Sequence, residues 1–195
     1  NDGYLDADDA FAFDYDAWTD TDGDGKADTV RPDVVTTNDV ENFDSGSAGL
    51  TFVNSGTHDF TVSSATSNSG SYALIATTDQ HSQTATVTLT IATYAGTVSF
   101  NYWTQVESSS SCSYDWMTFK VDGVQALKDC GTSTAWESFS TTVTEGTHTF
   151  EWEYDRDSSW CSAGSACTGV FDFVAIDDIS LPTSQTIGYP TVTAA

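Results

Sequence analysis

The chain has almost no basic charge. Among 195 residues only Lys26, Arg31, Lys120, Lys128 and Arg156 are basic, against 29 acids, for a formal net charge of −24. No patch exists to neutralise a run of phosphates, which excludes nucleic-acid binding through a basic face. Attraction to anionic lipid is excluded on the same ground. No apolar run approaches the roughly 18 residues of a membrane-spanning helix, so membrane insertion is not expected. No stretch carries a convincing 3.6-residue apolar period, so helices are not expected to build the core. The motifs of common chemistries are missing as well: no G-x-S-x-G elbow, no H-E-x-x-H and no P-loop occurs. The chain begins at Asn1 with no initiator methionine or signal peptide, which reads as a processed chain or an excised module.

High charge usually signals disorder. Six Trp, eight Tyr and eleven Phe argue against that here. The acidity is uneven: fourteen of the acids fall within the first 44 residues. Calcium ligation in that segment is one reading. Solubility in salty water, where screening makes such charge tolerable, is the other, and both can hold.

The densest acidic stretch is Asp20-Thr-Asp22-Gly-Asp24-Gly25-Lys26-Ala-Asp28. Alternation lets a curling loop aim several carboxylates at one centre, and glycine permits the turn that closes it. Hard cations want such an arrangement, and Ca²⁺ takes six to eight oxygens. Counted from Asp20 as position 1, the acids fall at 1, 3, 5 and 9, Gly25 at 6 and Lys26 at 7, where a backbone carbonyl is the ligand. Position 12 is Arg31, where an EF-hand needs a bidentate glutamate, and no amphipathic helix flanks the loop. The pattern D-x-D-x-D-G-x-x-D resembles a thrombospondin type 3 repeat. Asp2-Gly3-Tyr-Leu-Asp6 repeats the ending Asp24-Gly25-Lys-Ala-Asp28 at an offset of 22 residues, with Asp8, Asp9, Asp14 and Asp16 between. The resemblance implies a calcium-organised segment over residues 1–38, in which ions replace a hydrophobic core.

From about Val40 the acids thin out and period-two alternation takes over. Val87, Leu89 and Ile91 alternate with threonines; Val98, Phe100 and Tyr102 with Ser99, Asn101 and Trp103; Met117, Phe119 and Val121 with Trp116, Thr118 and Lys120. His148, Phe150, Trp152 and Tyr154 alternate with Thr149, Glu151 and Glu153. Asp122-Gly123 is a hairpin turn signal. Shorter strands are expected at 40–44, 50–54, 58–62 and 71–78, and a last one at about 170–181, ended by Pro182. Many strands with one polar face predict an all-β antiparallel sandwich over residues 39–182. Residues 183–195 read as a Thr-rich tail or linker. The order Val40-Glu41-Asn42-Phe43-Asp44, Ser71-Tyr72-Ala73-Leu74, Val98 to Trp103, Gly146 to Trp152 and Val174 to Leu181 resembles a MAM-type jelly roll of the bacterial form, and is also similar to cleaved-adhesin domains of bacterial proteases. That resemblance implies a jelly roll with adhesive or carbohydrate-binding roles, often with a structural calcium.

Several residues become site candidates. In a jelly roll the first and last strands often adjoin, so Glu41, Asp44, Asp177 and Asp178 are candidates for a second calcium site. Of two adjacent acids in a strand, one points inward unless a bulge intervenes. Trp103 with Asn101 and Gln105, and Trp116 and Trp160, are candidates for stacking and hydrogen bonding to a sugar. Glu151 and Glu153 lie about 7 Å apart on one strand face, a spacing that would suit an inverting glycosidase, although neighbouring surface acids are common. His148, in phase with core aromatics, reads as structural, while His58 and His81 sit in Ser/Thr-rich stretches where neighbouring hydroxyls are inevitable. The four cysteines fit no zinc pattern and allow three pairings; sequence neighbours favour Cys112–Cys130 and Cys161–Cys167. Disulfides and calcium loops both point outside the cytoplasm.

The sequence thus predicts a non-catalytic, extracellular, calcium-binding module of a bacterial surface or secreted protein, with a glycan or cell-surface protein as partner. Alternatives are a subunit that assembles with neighbouring copies into a filament or array, and an accessory domain of a secreted degrading enzyme. The acidic segment supplies a test. Tyr4, Leu5, Phe11, Phe13, Tyr15 and Trp18 are its main bulky apolar groups, too few to offset roughly 1–2 kcal/mol of backbone entropy per residue. Calcium bound to the folded loop supplies the rest. Limited proteolysis in EGTA is expected to cut first between about residues 6 and 35, with the sandwich intact. Equal protection with and without calcium would remove calcium as the organiser.

Overall fold

Alternation along each strand leaves one apolar face, and two such faces close on each other. The computed structural model describes residues 17–19, 21, 27, 29–30, 33–78, 80–107, 110–158 and 172–188. Its strands are β1 (Ala17–Thr19), β2 (Thr29–Val30), β3 (Asp33–Glu41), β4 (Val53–Gly56), β5 (Thr61–Ser63), β6 (Ala73–Thr78), β7 (Thr84–Thr93), β8 (Gly96–Gln105), β9 (Trp116–Val121), β10 (Val124–Asp129), β11 (Glu137–Val143), β12 (Gly146–Asp155) and β13 (Asp172–Gly188). No helix among the described residues is long and apolar enough to cross a membrane. The chain divides into two units, Asn38–Thr183 and Asn1–Thr37 with Ser184–Ala195. In the smaller, β1 and β2 pair antiparallel, with Thr19 opposite Thr29.

The larger unit is an antiparallel two-sheet sandwich. One sheet runs β10-β9-β12-β7-β4; the other runs β11-β8-β13-β6-β5, with β3 paired to β13. First and last strands therefore adjoin, as expected. Asn38 seals the contact by donating its Nδ2 to Thr97 O (2.8 Å) and Ser180 Oγ (2.9 Å). Most residues phased by alternation form the core: Val87, Leu89, Met117, Phe119, Phe150, Trp152 and Tyr154 face Val98, Phe100 and Tyr102, joined by Leu74, Val174 and Ile176, while Ile91 and Val121 are only partly buried. Phe100 meets Phe119 edge-on at 4.8 Å and Trp152 at 5.6 Å, and Phe119 lies 5.0 Å from Trp152. Such pairs add to simple area burial.

Two ends differ from expectation. β13 does not stop at Pro182 but continues to Gly188. Proline only removes a donor, and the Pro182 carbonyl still accepts Tyr94 N–H at 2.8 Å. The segment expected as a strand at 40–44 ends at Glu41, because Phe43 turns left-handed (φ 57) with its ring in the core. Of the cysteines, Cys112–Cys130 forms the expected disulfide, enclosing a span of 18 residues and worth about 3 kcal/mol on a chain-entropy account. Cys161 and Cys167 lie outside the described residues.

The Asp122-Gly123 turn carries φ of 52 and 78, the paired left-handed values of a type I′ hairpin. Asp122 Oδ1 accepts Thr149 N–H (2.8 Å) and Oδ2 meets His148 Nδ1 (2.7 Å), while His148 Nε2 meets Thr144 O (3.0 Å). Acceptors on both ring nitrogens suit only the doubly protonated imidazolium. The hydrogen bond to Asp122 raises the His148 pKa above its ordinary 6.5. A raised folded value gives stabilisation that is fully present below about pH 6.5 and is lost as pH rises through the folded value. NMR titration should place His148 above the ordinary value, and Asp122→Asn should bring it back down. An unshifted His148 in the native chain would refute the pairing.

Candidate functional site

The outer face of the six-stranded sheet carries partly exposed aromatic side chains beside polar ones. Register sets its rows. Trp103 of β8 lies opposite Ala175 of β13, which lies opposite Ile75 of β6, which lies opposite Thr61 of β5. In the next row Gln105, Phe173 and Thr77 align. Ala73, Ile75 and Ala175 are buried on this outer face because Trp103, Trp136 and Phe173 lie over them, each only partly covered. Trp103 packs edge-on to Trp136 at 6.0 Å and to Phe173 at 5.9 Å. Its Nε1 donates to Ser133 O at 2.9 Å, and Gln105 Nε2 donates to the same oxygen at 2.5 Å. Beside this platform runs a groove of about 360 Å³ that includes Thr61, Ser63, Thr66, Thr77, Ile75 and Phe173 in its lining. An aromatic step beside hydroxyls can hold a ligand having one apolar and one hydrogen-bonding face.

Of the sequence candidates, Asn101, Trp103 and Gln105 do share this face. Asn101 is tied down: its Nδ2 donates to Asp178 Oδ2 (3.1 Å) and its Oδ1 accepts Ser138 Oγ (2.6 Å). Trp116 is on the other sheet, half-covered, with Lys128 Nζ 4.0 Å from its ring centre. Trp160 lies outside the described residues. Glu151 and Glu153 both hold Lys120 Nζ, at 2.7 and 3.2 Å. They are thus bridged by a cation, an arrangement that explains their spacing without chemistry.

The four acids considered for a second calcium site do not meet at one point. Glu41 accepts N–H bonds from Phe43 (3.0 Å), Gly49 (2.6 Å) and Leu50 (2.8 Å). Asp44 accepts from Ser71 N (2.8 Å) and Asn42 Nδ2 (3.2 Å). Asp177, 0% exposed, accepts from the N–H groups of Asn68 (2.8 Å), Ser69 (3.2 Å) and Asp178 (2.8 Å). Asp178 accepts from Asn68 Nδ2 (2.8 Å) and Ser69 Oγ (2.6 Å). A bulge between Asp177 and Ser180, with Asp178 at φ 50, lets Ile176 and Ile179 both enter the core. Neither aspartate has to point inward. Burial raises the Asp177 pKa, opposed by its three N–H donors.

Asp2, Asp6, Asp20, Asp22, Asp24, Lys26 and Asp28 lie outside the described residues. The Thr19–Thr29 pairing sets the two flanks of the 20–28 stretch side by side. Among the described residues, the acids whose ligand atoms gather within 4.8 Å of one another are Glu107, Asp115 and Asp157. That group could hold a metal.

The fold has solved counterparts. This is the fold of carbohydrate-binding and cleaved-adhesin sandwiches. The chain is similar to a cleaved adhesin domain of Lys-gingipain from Porphyromonas gingivalis at 8% identity, TM-score 0.56, over 76% of this chain and 99% of that one. It is similar to TmCBM61, solved with β-1,4-galactotriose, at 17% identity, TM-score 0.52, over 74% and 95%. It is similar to a xylan-binding domain of CBM 22 at 12% identity, TM-score 0.50, over 76% and 96%. No protein-family model and no curated protein matches the sequence.

Sequence reasoning missed Trp136 and Phe173. Trp136 sits in a connection with no alternation to phase it, and Phe173 belongs to a strand whose start was placed only roughly. It also missed the use of Asp44 as a clasp. A Cβ on Gly70, at φ +55, would land on the Asp44 carboxylate, whereas one on Gly123, at φ +78, would meet nothing. Gly123→Ala should therefore cost only the left-handed backbone penalty, about 1–2 kcal/mol. Gly70→Ala should cost clearly more, because the Asp44 clasp must move as well. Chemical denaturation checks the ranking, and equal losses would show that Asp44 gives way freely.

Proposed function

We propose that the chain is a non-catalytic, extracellular binding module whose ligand is a glycan laid across the outer face of the six-stranded sheet. The observation that carries this is the half-covered Trp103–Trp136–Phe173 platform beside a groove lined by Thr61, Ser63, Thr66 and Thr77. A sugar ring presents C–H groups on one face and hydroxyls at its rim, which is the complement of that surface. The bridging of Glu151 and Glu153 by Lys120 supports binding over hydrolysis. The Cys112–Cys130 disulfide supports an oxidising compartment. Calcium belongs to the same proposal: it is held at residues 20–28 by Asp20, Asp22, Asp24 and Asp28, with the carbonyl of Lys26. The paired flanks at Thr19 and Thr29 support a closed loop there.

Xylan and β-1,4-galactan are the first polymers to try, since the fold neighbours include a xylan-binding domain and a module solved with β-1,4-galactotriose. Affinity electrophoresis of the native chain should show retardation by at least one soluble polysaccharide. Trp136→Ala and Phe173→Ala should each weaken it about tenfold or more, the scale of a central aromatic anchor. Trp116→Ala, on the opposite sheet, should leave it unchanged. Retardation lost with Trp116→Ala but kept with both platform variants would move the site to the other face. No binding across a broad glycan array would reject the glycan reading.

A further inference from the structure

At one end of the sandwich three connections meet. Glu107 follows β8, Asp115 precedes β9 and Asp157 follows β12. We propose that Glu107, Asp115 and Asp157 form a binding site for a calcium-sized divalent cation that ties these three connections together. The site shares no residue with the 20–28 loop or the aromatic platform, and it stands or falls apart from the glycan reading.

The spacing fits. Oxygens on opposite sides of a Ca²⁺ at 2.3–2.6 Å are about 4.6–5.2 Å apart, and the ligand oxygens here lie within 4.8 Å of one another. The all-oxygen donor set, without His or Cys, suits a hard cation rather than zinc. Mg²⁺ demands near-octahedral oxygens at 2.0–2.1 Å, so three separate connections favour the more tolerant Ca²⁺.

An acidic cluster by itself means little, but here one oxygen of Glu107 and one of Asp115 are buried without a hydrogen-bond partner. Asp115 is 0% exposed. Its Oδ1 accepts Asp157 N–H at 2.9 Å, while its Oδ2 makes no hydrogen bond. The nearest cationic atom to that oxygen, Arg156 Nε, is 3.9 Å away, beyond hydrogen-bond length. Glu107 Oε2 is also shut off from solvent with no partner. So is the hydroxyl of Tyr154, itself 1% exposed and within electrostatic reach of Asp115 and Asp172. A buried carboxylate oxygen with no donor is costly, and a cation reached by all three acids removes the cost.

The local charge agrees. Among the described residues, Arg156 is the base that acts on Glu107 and Asp115, and it is shared: its guanidinium lies 3.9 Å from Asp115 and 3.6 Å from Asp172 and donates to Thr78 O and Gln80 O at 3.0 Å each. Four carboxylates against one guanidinium leave an excess that a divalent ion reduces. Burial, then the charges of neighbouring acids, push Asp115 up to about 6 and raise Glu107 as well. A shared proton is the competing way to relieve the crowding, so the test is run above pH 7.

The test uses the full chain carrying Asp20→Asn, Asp22→Asn and Asp24→Asn, which silences the N-terminal loop. Isothermal titration with calcium at pH 7.5 is expected to show a bound equivalent, and calcium is expected to raise the Tm of the sandwich. Adding Asp115→Asn should abolish both effects. That residue is buried and its variant could misfold, so Glu107→Gln, at the partly exposed rim, is the second variant. It should weaken calcium binding at least tenfold with an unchanged circular dichroism spectrum. No calcium binding in the loop-silenced chain overturns the proposal. Calcium affinity that survives Glu107→Gln also overturns it, since the ion would then sit elsewhere. Loss of glycan retardation has no bearing on either result.

Discussion

Carboxylates held by main-chain N–H groups are what the loops of this sandwich depend on. With five bases for 29 acids, ion pairing cannot satisfy most of the acidic groups. Buried acids such as Glu41 and Asp177 find neutral donors instead. Glu41 closes the connection after β3 by collecting three N–H bonds, and Asp177 fastens residues 68–69 to the last strand with two, while accepting a third from Asp178. Asp122 joins its hairpin to β12 in the same way. Hydrogen bonds to a charged acceptor are worth about 1.5–3 kcal/mol each where solvent is excluded. An acidic surface and firmly anchored loops are thus compatible, because the anchors do not need counter-charges.

The same constraint shows where donors run out. At Glu107 and Asp115 two carboxylate oxygens are buried without a hydrogen-bond donor, while Asp115 Oδ1 accepts Asp157 N–H. Glu41 and Asp177, by contrast, are each matched to the N–H groups of a loop. Glu107, Asp115 and Asp157 are instead brought from three connections to a common point.

Much of the fold was legible in the sequence because alternation reports which side of a strand is buried. Phe100, Phe119, Phe150 and Trp152 were phased correctly, and Asp122-Gly123 made the turn its chemistry dictates. The adjacency of first and last strands was also expected, whereas the bulge after Asp177 is the exception to the expectation that Asp177 or Asp178 points inward. What could not be read was the donor side of each carboxylate. Glu41, Asp44 and Asp177 look alike as ligands in a sequence, but their partners are N–H groups of loops whose paths no periodicity encodes. Trp136 was hidden for a related reason. Its place against the Ala73–Ile75–Ala175 cluster and beside Trp103 follows from the course of the connection before β11, not from any pattern within that connection.

Strand β13 explains why the aromatic platform has a fixed geometry. At its start Asp172, fully buried, faces Arg156 across 3.6 Å. Five residues on, Asp177 is gripped by residues 68–69, and the bulge that follows returns Ile179 to the core. Between these two pins lie Phe173 and Ala175, whose neighbours across the sheet are Gln105 and Trp103. A slip of one residue would turn Phe173 into the core and Val174 out of it, because strand side chains alternate strictly. It would also draw Asp172 away from Arg156 and Asp177 away from its donors. Register on this strand is therefore specified twice by buried charge and once by hydrophobic burial. Polar groups that contribute nothing to the surface of the platform decide which side chains form it.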